Sequence, residues 1–145
     1  MRRDFAIEYD KIFGQTCRGI YGKGALFCDD ETKSFEAVTI ELDTHQLNFR
    51  VCADSDEIIY DIVEREGEKS EDLSNILFEE FIGNELGYIW SANNWCGHED
   101  MIVISFEGVD PNILFVGVSS MIRIYRAAKI KFPELGNDAS QELTG

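Results

Sequence analysis

The sequence predicts an α+β fold, a bent antiparallel sheet of about six to seven strands with one main helix packed on one face. Two pairs of alternating apolar and polar segments meet at turn residues, and they predict hairpins over residues 35–53 and 100–118. Between the hairpins, apolar residues recur at helical spacing over residues 71–82. Because 145 residues with 44% hydrophobic composition suffice for one core, we expect a single globular domain over residues 1–132 and a flexible tail over residues 133–145.

The first half of the chain is expected to form a meander. Residues 5–13 suit a strand or a helix equally well, because their apolar residues satisfy both periods. Residues 16–27 are extended, and their three glycines indicate a bent strand, a bulge or a close backbone approach. The first hairpin follows, and residues 58–66 add a third strand to it. The side chains expected to point inward in that hairpin are Val38, Ile40, Leu42, Leu47, Phe49 and Val51.

The second half supplies the helix and the remaining strands. The helix is expected to end at Gly83, and the alternation of Leu86, Tyr88 and Trp90 predicts a fourth strand that buries these three side chains. A polar loop is expected over residues 91–99. In the last strand the apolar residues are expected to face inward and the basic residues outward. The strands expected after the loop cover residues 100–107, 113–118 and 121–132.

The distribution of charge restricts the classes of partner. The chain has 28 acidic and 13 basic residues, a net charge of −15, and residues 29–110 contain 22 acidic but four basic side chains. Such a surface repels DNA, RNA and anionic membranes and attracts a basic protein. Solubility alone is the alternative explanation. No apolar run approaches the roughly 18 residues of a membrane span, and the N-terminal residues lack the apolar region of a signal peptide. We therefore expect a cytoplasmic protein.

The loop after the fourth strand is the predicted contact surface. It holds Trp95 in a polar setting where strand alternation does not require an aromatic residue. Trp95 either caps the core or, if it is exposed, forms an interface anchor with polar neighbours. The residues predicted to bind a partner are Asn93, Asn94, Trp95, His98, Glu99 and Asp100.

The same loop offers the alternative of chemistry. Cys96 and His98, followed by two carboxylates, could serve a hydrolase or transferase if the imidazole lay within hydrogen-bond reach of the thiol. The pair also supplies two of the four ligands of a structural zinc site, with His45 and Cys52 as distant candidates. The acidic turn over residues 54–57 lacks the Gly and Glu positions of an EF-hand loop. We predict no catalytic residue, no metal and no cofactor.

One further pattern extends from the fourth strand to the last. It combines an aromatic strand, an Asn and Gly loop that ends in Asp, a hairpin, and a closing strand of the form Ser-x-Ile-x-Ile-Tyr. The positions that carry it are Ile82, Gly83, Leu86, Trp90, Asn94, Gly97, Asp100, Phe106, Ser120, Ile122 and Tyr125. This pattern resembles a family of small uncharacterised bacterial proteins, a domain of unknown function. The resemblance implies no activity.

The functional prediction is a non-enzymatic acidic binding protein, an immunity-type inhibitor that neutralises a basic toxin or nuclease. The acidic surface, the aromatic loop and the lack of a recognisable catalytic motif motivate it. A Cys/His-dependent hydrolase or transferase is one alternative. An inhibitor that mimics DNA is another, and it requires acidic side chains in two rows spaced like phosphates. We expect a monomer or weak dimer that binds neither nucleic acid nor membrane.

Overall fold

The computed structural model describes residues 9–27, 33–65 and 77–127, and these contain ten strands in two antiparallel sheets. The strands are β1 (Gly19–Lys23), β2 (Leu26–Phe27), β3 (Lys33–Phe35), β4 (Ala37–Glu41), β5 (His45–Val51), β6 (Ile58–Glu64), β7 (Leu86–Asn93), β8 (Glu99–Phe106), β9 (Ile113–Val118) and β10 (Met121–Arg126). One sheet has four strands in the order β1-β4-β5-β6, and the other has six in the order β2-β3-β10-β9-β8-β7. The predicted single sheet is therefore wrong.

A long bent hairpin joins the two sheets. β1 pairs with β4 in the four-stranded sheet, whereas β2, which continues β1, pairs with β3 in the six-stranded sheet. The change of sheet falls at Gly24, where φ is 71°, and at Glu36 on the facing strand. The bend predicted in residues 16–27 is confirmed. Gly22 provides the predicted close approach, because a side-chain carbon there would lie 2.4 Å from the ring of Phe35.

The predicted first hairpin and third strand complete the four-stranded sheet. β4 pairs with β5, and β5 pairs with β6 along its seven residues. The core lies between the two sheets, where the rings of Phe49 and Phe115 meet edge to face with centroids 5.2 Å apart. The inward side of the hairpin is confirmed, since its predicted members are buried except for the half-buried Val51.

The main helix predicted over residues 71–82 is wrong for the part that the structure describes, and residues 71–76 lie outside that part. Phe78 has φ 51° and ψ 54°, a left-handed conformation that an α-helix cannot contain. The 3-10 turn Glu79–Phe81 is the regular structure that follows it. Since the described residues contain no main helix, the fold is mostly β rather than α+β.

The apolar spacing around residue 80 has a tertiary cause instead. The N–H of Leu77 donates a hydrogen bond of 2.7 Å to the carbonyl of Ile20 in β1, which holds this segment against the edge of a sheet. The Phe81 ring stacks on the Phe106 ring with centroids 5.0 Å apart. These residues are therefore apolar because they cover the core, and their helical period is coincidental.

The strands of the second half confirm the second predicted hairpin, in which β8 pairs with β9. β9 and β10 form a further hairpin through the two-residue turn Ser119 and Ser120, with φ 53° and 67°. The basic residue Arg126 of β10 is exposed and pairs with Glu80 at 2.7 Å.

A β-bulge corrects the predicted fourth strand. The register of β7 against β8 shifts between Leu86 and Ile89, so both of these side chains contact the core although they are three residues apart. Tyr88 and Trp90, which we predicted to be buried, are 42% and 39% exposed. The alternation counted from Leu86 fails because one extra residue moves every later side chain to the other face.

The ends of the described chain add little regular structure. The prediction for residues 5–13 left a strand and a helix open; residues 9–12 are helical, and residues 5–8 lie outside the described ranges. The predicted tail over residues 133–145 lies outside the described residues. In the described ranges, every helical segment is too short to be a candidate for crossing a membrane.

Candidate functional site

Three connections meet at one end of the molecule. Strands β5, β7 and β9 end there, and β6, β8 and β10 begin there. Hydrogen bonds join the connection of the four-stranded sheet to the two connections of the six-stranded sheet. The connections are the turn over residues 52–57, the loop over residues 94–98 and the turn over residues 119–120. We call these three connections, together with Glu99 and Asp100 at the start of β8, the acidic end.

Carboxylates of the first turn hold the connections together. Asp56 Oδ1 accepts a hydrogen bond of 2.7 Å from the N–H of Ser120, and Glu57 Oε2 accepts one of 3.2 Å from the N–H of Glu99. Glu57 and Glu99 are 42 residues apart in the chain. Sequence reasoning treated residues 54–57 as an ordinary turn, and no motif or spacing could have joined them to the loop.

The acidic end concentrates negative charge. Its carboxylates belong to Asp54, Asp56, Glu57, Glu99 and Asp100. Within the described ranges, no lysine or arginine forms an ion pair with Asp54, Asp56, Glu57 or Asp100. Like charges in one place produce a negative potential that extends into the solvent by about a Debye length, roughly 8 Å at physiological salt. The predicted site residues Glu99 and Asp100 therefore lie in a larger field than the loop alone supplies.

Asn94 organises the loop. Its Oδ1 accepts hydrogen bonds from the N–H groups of Cys96 and His98 at 2.8 and 3.1 Å, and its Nδ2 donates one to Asp100 at 3.2 Å. The loop extends over residues 94–98, shorter than predicted, because Asn93 still belongs to β7. Side-chain hydrogen bonds to the backbone are the usual way in which Asn fixes a tight turn.

Trp95 projects from this loop into solvent. Its side chain is 95% exposed, the largest exposure among the large hydrophobic residues that the structure describes. Trp95 therefore does not cap the core, and its role as an interface anchor stays a prediction. An indole in water exposes apolar area whose burial by a partner is favourable.

The loop does not assemble a cysteine and histidine dyad. Cys96 and His98 both lie in the described part of the chain and are exposed, and no hydrogen bond joins their side chains. His45 begins β5 and Cys52 follows its end, so a seven-residue strand, about 20 Å long, separates these two zinc candidates. The described part of the chain contains no cluster of three or more potential metal ligands.

Backbone strain accumulates at the acidic end. Five non-glycine residues of the described ranges have positive φ, and three of them, Asp56, Ser119 and Ser120, belong to this end. Such conformations cost about 1–3 kcal/mol each and persist where the surrounding structure fixes them, often at binding sites. The hydrogen bond between Asp56 and Ser120 is one such restraint.

A second polar cluster lies at the opposite end of the four-stranded sheet. A depression of about 530 Å³ is lined there by Asp43, Thr44, His45, Glu64 and Arg65. The Thr16 N–H, and after it the Arg18 guanidinium, hold the pKa of Asp43 below its ordinary value by hydrogen bonding. Arg65 donates a hydrogen bond of 2.7 Å to the carbonyl of Leu42. Because charges of both signs lie together, this cluster presents no single sign of charge to a partner.

Comparison with known proteins gives a family but no function. No curated protein and no solved structure matches the chain. A family model described as a family of unknown function (DUF6334) matches residues 1–131, which include both sheets and the acidic end. The resemblance to an uncharacterised family is thereby confirmed. The chain belongs to the family of unknown function DUF6334.

Proposed function

We propose that this protein is a non-enzymatic inhibitor of the immunity-protein kind, which binds a basic toxin or nuclease through the acidic end. One observation carries the proposal: the 95% exposed side chain of Trp95 lies at the same end of the molecule as five carboxylates. A large exposed aromatic residue with a charged rim is the usual composition of an interface hot spot.

Binding proceeds in two physical steps. The negative field of the acidic end first increases the rate at which a basic surface arrives in the correct orientation. Trp95 then enters a pocket of the partner, and burial of the indole slows dissociation. Because Asn94 already fixes the loop through three hydrogen bonds, the loop loses little conformational entropy when the partner binds.

The proposal includes a location and excludes two partner classes. The protein acts in the cytoplasm, where it occupies the positive cleft of its partner. With a net charge of −15, it binds neither nucleic acid nor an anionic membrane. The carboxylates of its acidic end interact with basic side chains of the partner and have no catalytic role.

Affinity capture followed by reconstitution tests the proposal. The immobilised protein is incubated with a lysate of the organism that encodes it at about 50 mM salt, retained proteins are identified, and each is purified for binding and activity assays. We expect a basic protein whose activity the chain inhibits. Replacement of Trp95 by Ala is expected to raise the dissociation constant about thirtyfold or more, as for a hot-spot residue.

Two charge reversals provide a matched control. Asp54→Lys changes the charge at the acidic end, whereas Glu64→Lys makes the same change of net charge at the far end of β6. The association rate is expected to fall strongly with Asp54→Lys and weakly with Glu64→Lys, and the difference should shrink at high salt. The proposal is wrong if no retained protein depends on Trp95, or if both reversals act equally.

A further inference from the structure

The four edge strands that the structure describes in the two sheets differ in how well they are protected from pairing with another strand. β1 and β6 form the edges of the four-stranded sheet, and β2 and β7 those of the six-stranded sheet. β1 contains Lys23, β6 contains Asp61 and Glu64, and β2 has two residues. β7 has eight residues, LGYIWSAN, without a charge or a proline. Charge, proline and shortness are three usual protections of an edge, and β7 has none of the three. A bulge is a fourth, and the register shifts of β7 lie at its two ends, between Leu86 and Ile89 and between Ala92 and Asn93.

The backbone of β7 is open along most of its length. Its first residues are covered, because Leu86 exchanges backbone hydrogen bonds with Gly14 and Gln15 at 3.0 and 2.8 Å. From residue 88 to residue 93 the structure gives the outer edge no backbone partner within the described ranges. The register with β8 is regular from Ile89 to Ala92. A regular strand with free N–H and C=O groups is a template for one more strand.

Exposed aromatic side chains accompany this edge. The Phe13, Tyr88 and Trp90 rings form a continuous surface row, with centroids 5.6 Å apart for the first pair and 5.9 Å for the second. Tyr88 and Trp90 remain 42% and 39% exposed. Aromatic pairs across neighbouring strands stabilise a sheet beyond their buried area.

We propose that the β7 edge binds the β7 edge of a second copy of this chain, so that one continuous sheet runs through a two-fold symmetric dimer. In an antiparallel pair, facing residues lie on the same side of the sheet. Placing Trp90 opposite Trp90 of the other copy sets Ile89 opposite Ser91 and Tyr88 opposite Ala92. The aromatic rows of both copies then meet at the symmetry axis.

Charge makes this edge suited to a second copy even though the whole chain is strongly acidic. No charged residue lies in β7 itself, so no like charges face each other across the new strand pair. The net charge of −15 on each copy acts from a greater distance and is screened by salt. The dimer should therefore become more stable as salt concentration rises, opposite to the salt effect expected for binding a basic partner.

Analytical ultracentrifugation of the full chain tests the dimer. Sedimentation is measured from about 5 to about 500 µM protein, at about 50 mM and about 500 mM NaCl. We expect reversible dimerisation that strengthens at the higher salt. Replacement of Trp90 by Lys puts two positive charges at the axis and removes the aromatic pair, and it is expected to raise the dimer dissociation constant about tenfold or more.

Tyr125→Lys is the matched control. Tyr125 is 38% exposed and lies in the same cross-strand row as Trp90, but on β10, away from the edge. The Tyr125→Lys variant should dimerise as the unmodified chain does. Circular dichroism verifies that Tyr125→Lys and Trp90→Lys both fold. A monomer at all concentrations and both salts overturns the proposal, as does a dimer unaffected by Trp90→Lys. The Trp95→Ala variant should dimerise normally, which separates this inference from the proposed inhibitor function.

Discussion

Ser105→Ala tests the cause of the bulge that places Tyr88 and Trp90 on the outer face of the sheet. Ser105 is fully buried in β8. Its hydroxyl oxygen accepts a hydrogen bond of 2.7 Å from the Tyr88 N–H, and the hydroxyl donates one of 2.8 Å to the carbonyl of Gly108. One side chain thus satisfies a backbone donor of the bulge and a backbone acceptor of the following turn. Alanine removes both bonds and adds no new partner.

The expected loss of stability follows from these two bonds. A typical hydrogen bond contributes about 1 kcal/mol net, and a buried group left without a partner costs about 1–3 kcal/mol. Because Tyr88 is half-exposed, water can partly replace the hydroxyl as the partner of the Tyr88 N–H, which limits the cost. We therefore expect a total loss of about 2–4 kcal/mol in the free energy of unfolding. For a chain of this size about 3 °C is lost per kcal/mol, and the melting temperature should fall by about 6–12 °C.

Urea and thermal unfolding measured by circular dichroism provide the assay. Ser91→Ala is the matched control, because Ser91 lies on β7, is exposed, and should change the free energy of unfolding by less than about 0.5 kcal/mol. Tryptophan fluorescence reports in addition whether the environment of Trp90 changes when the bulge loses its anchor. If Ser105→Ala costs no more than Ser91→Ala, the bulge has another cause and our explanation of the misplaced strand face is wrong.

Two further predictions concern the acidic end and the buried titratable groups. Gly117→Ala should lower stability by about 2 kcal/mol or more, because the added carbon would lie 2.1 Å from the carbonyl oxygen of Asp56 and would displace the turn over residues 52–57. NMR amide shifts that are confined to β9 and absent from this turn would contradict the prediction. Burial raises the pKa of Tyr9 from 10.0 to about 12 and that of Cys17 from 9.0 to about 11. Both groups favour the folded state while neutral, so their contribution is complete below about pH 9 and is lost as pH rises through the folded pKa values. The urea midpoint should fall between pH 9 and 12, less steeply for Tyr9→Phe, and equal slopes for the variant and the wild type would contradict this assignment.

The parts of the fold that local chemistry determines were predicted from the sequence. The hairpin of β4 and β5 has clean alternation on both strands and a polar turn between them, so its inward residues Val38 and Phe49 were correctly identified. The hairpin of β8 and β9 likewise has a turn rich in Asp, Pro and Asn. In both cases the turn residues and the periodicity agree.

The errors arose where a distant residue decides the local structure. Nothing in the sequence of β7 reveals that Ser105 anchors a bulge at Tyr88, so the strand face after Leu86 was assigned incorrectly. The predicted helix failed for a related reason, since Leu77 bonds to β1 and Phe81 stacks on β8, and these contacts override helical periodicity. A bend was predicted around Gly24 but not at Glu36, which the prediction placed inside one continuous strand. The division into two sheets could not be predicted without knowledge of the pairing partners.

The two tryptophans illustrate how one strand supplies two different surfaces. Trp90 and Trp95 are five residues apart, yet Trp90 lies on the outer face of the sheet and Trp95 at the tip of the following loop. The bulge determines the position of Trp90, while Asn94 determines the loop that carries Trp95. Because separate contacts fix the two residues, a partner at the acidic end and a second copy at the β7 edge can be recognised independently. The two proposals place different demands on charge: a β7 edge that pairs with its own copy has to avoid like charges, and an acidic end that binds a basic protein has to be negative.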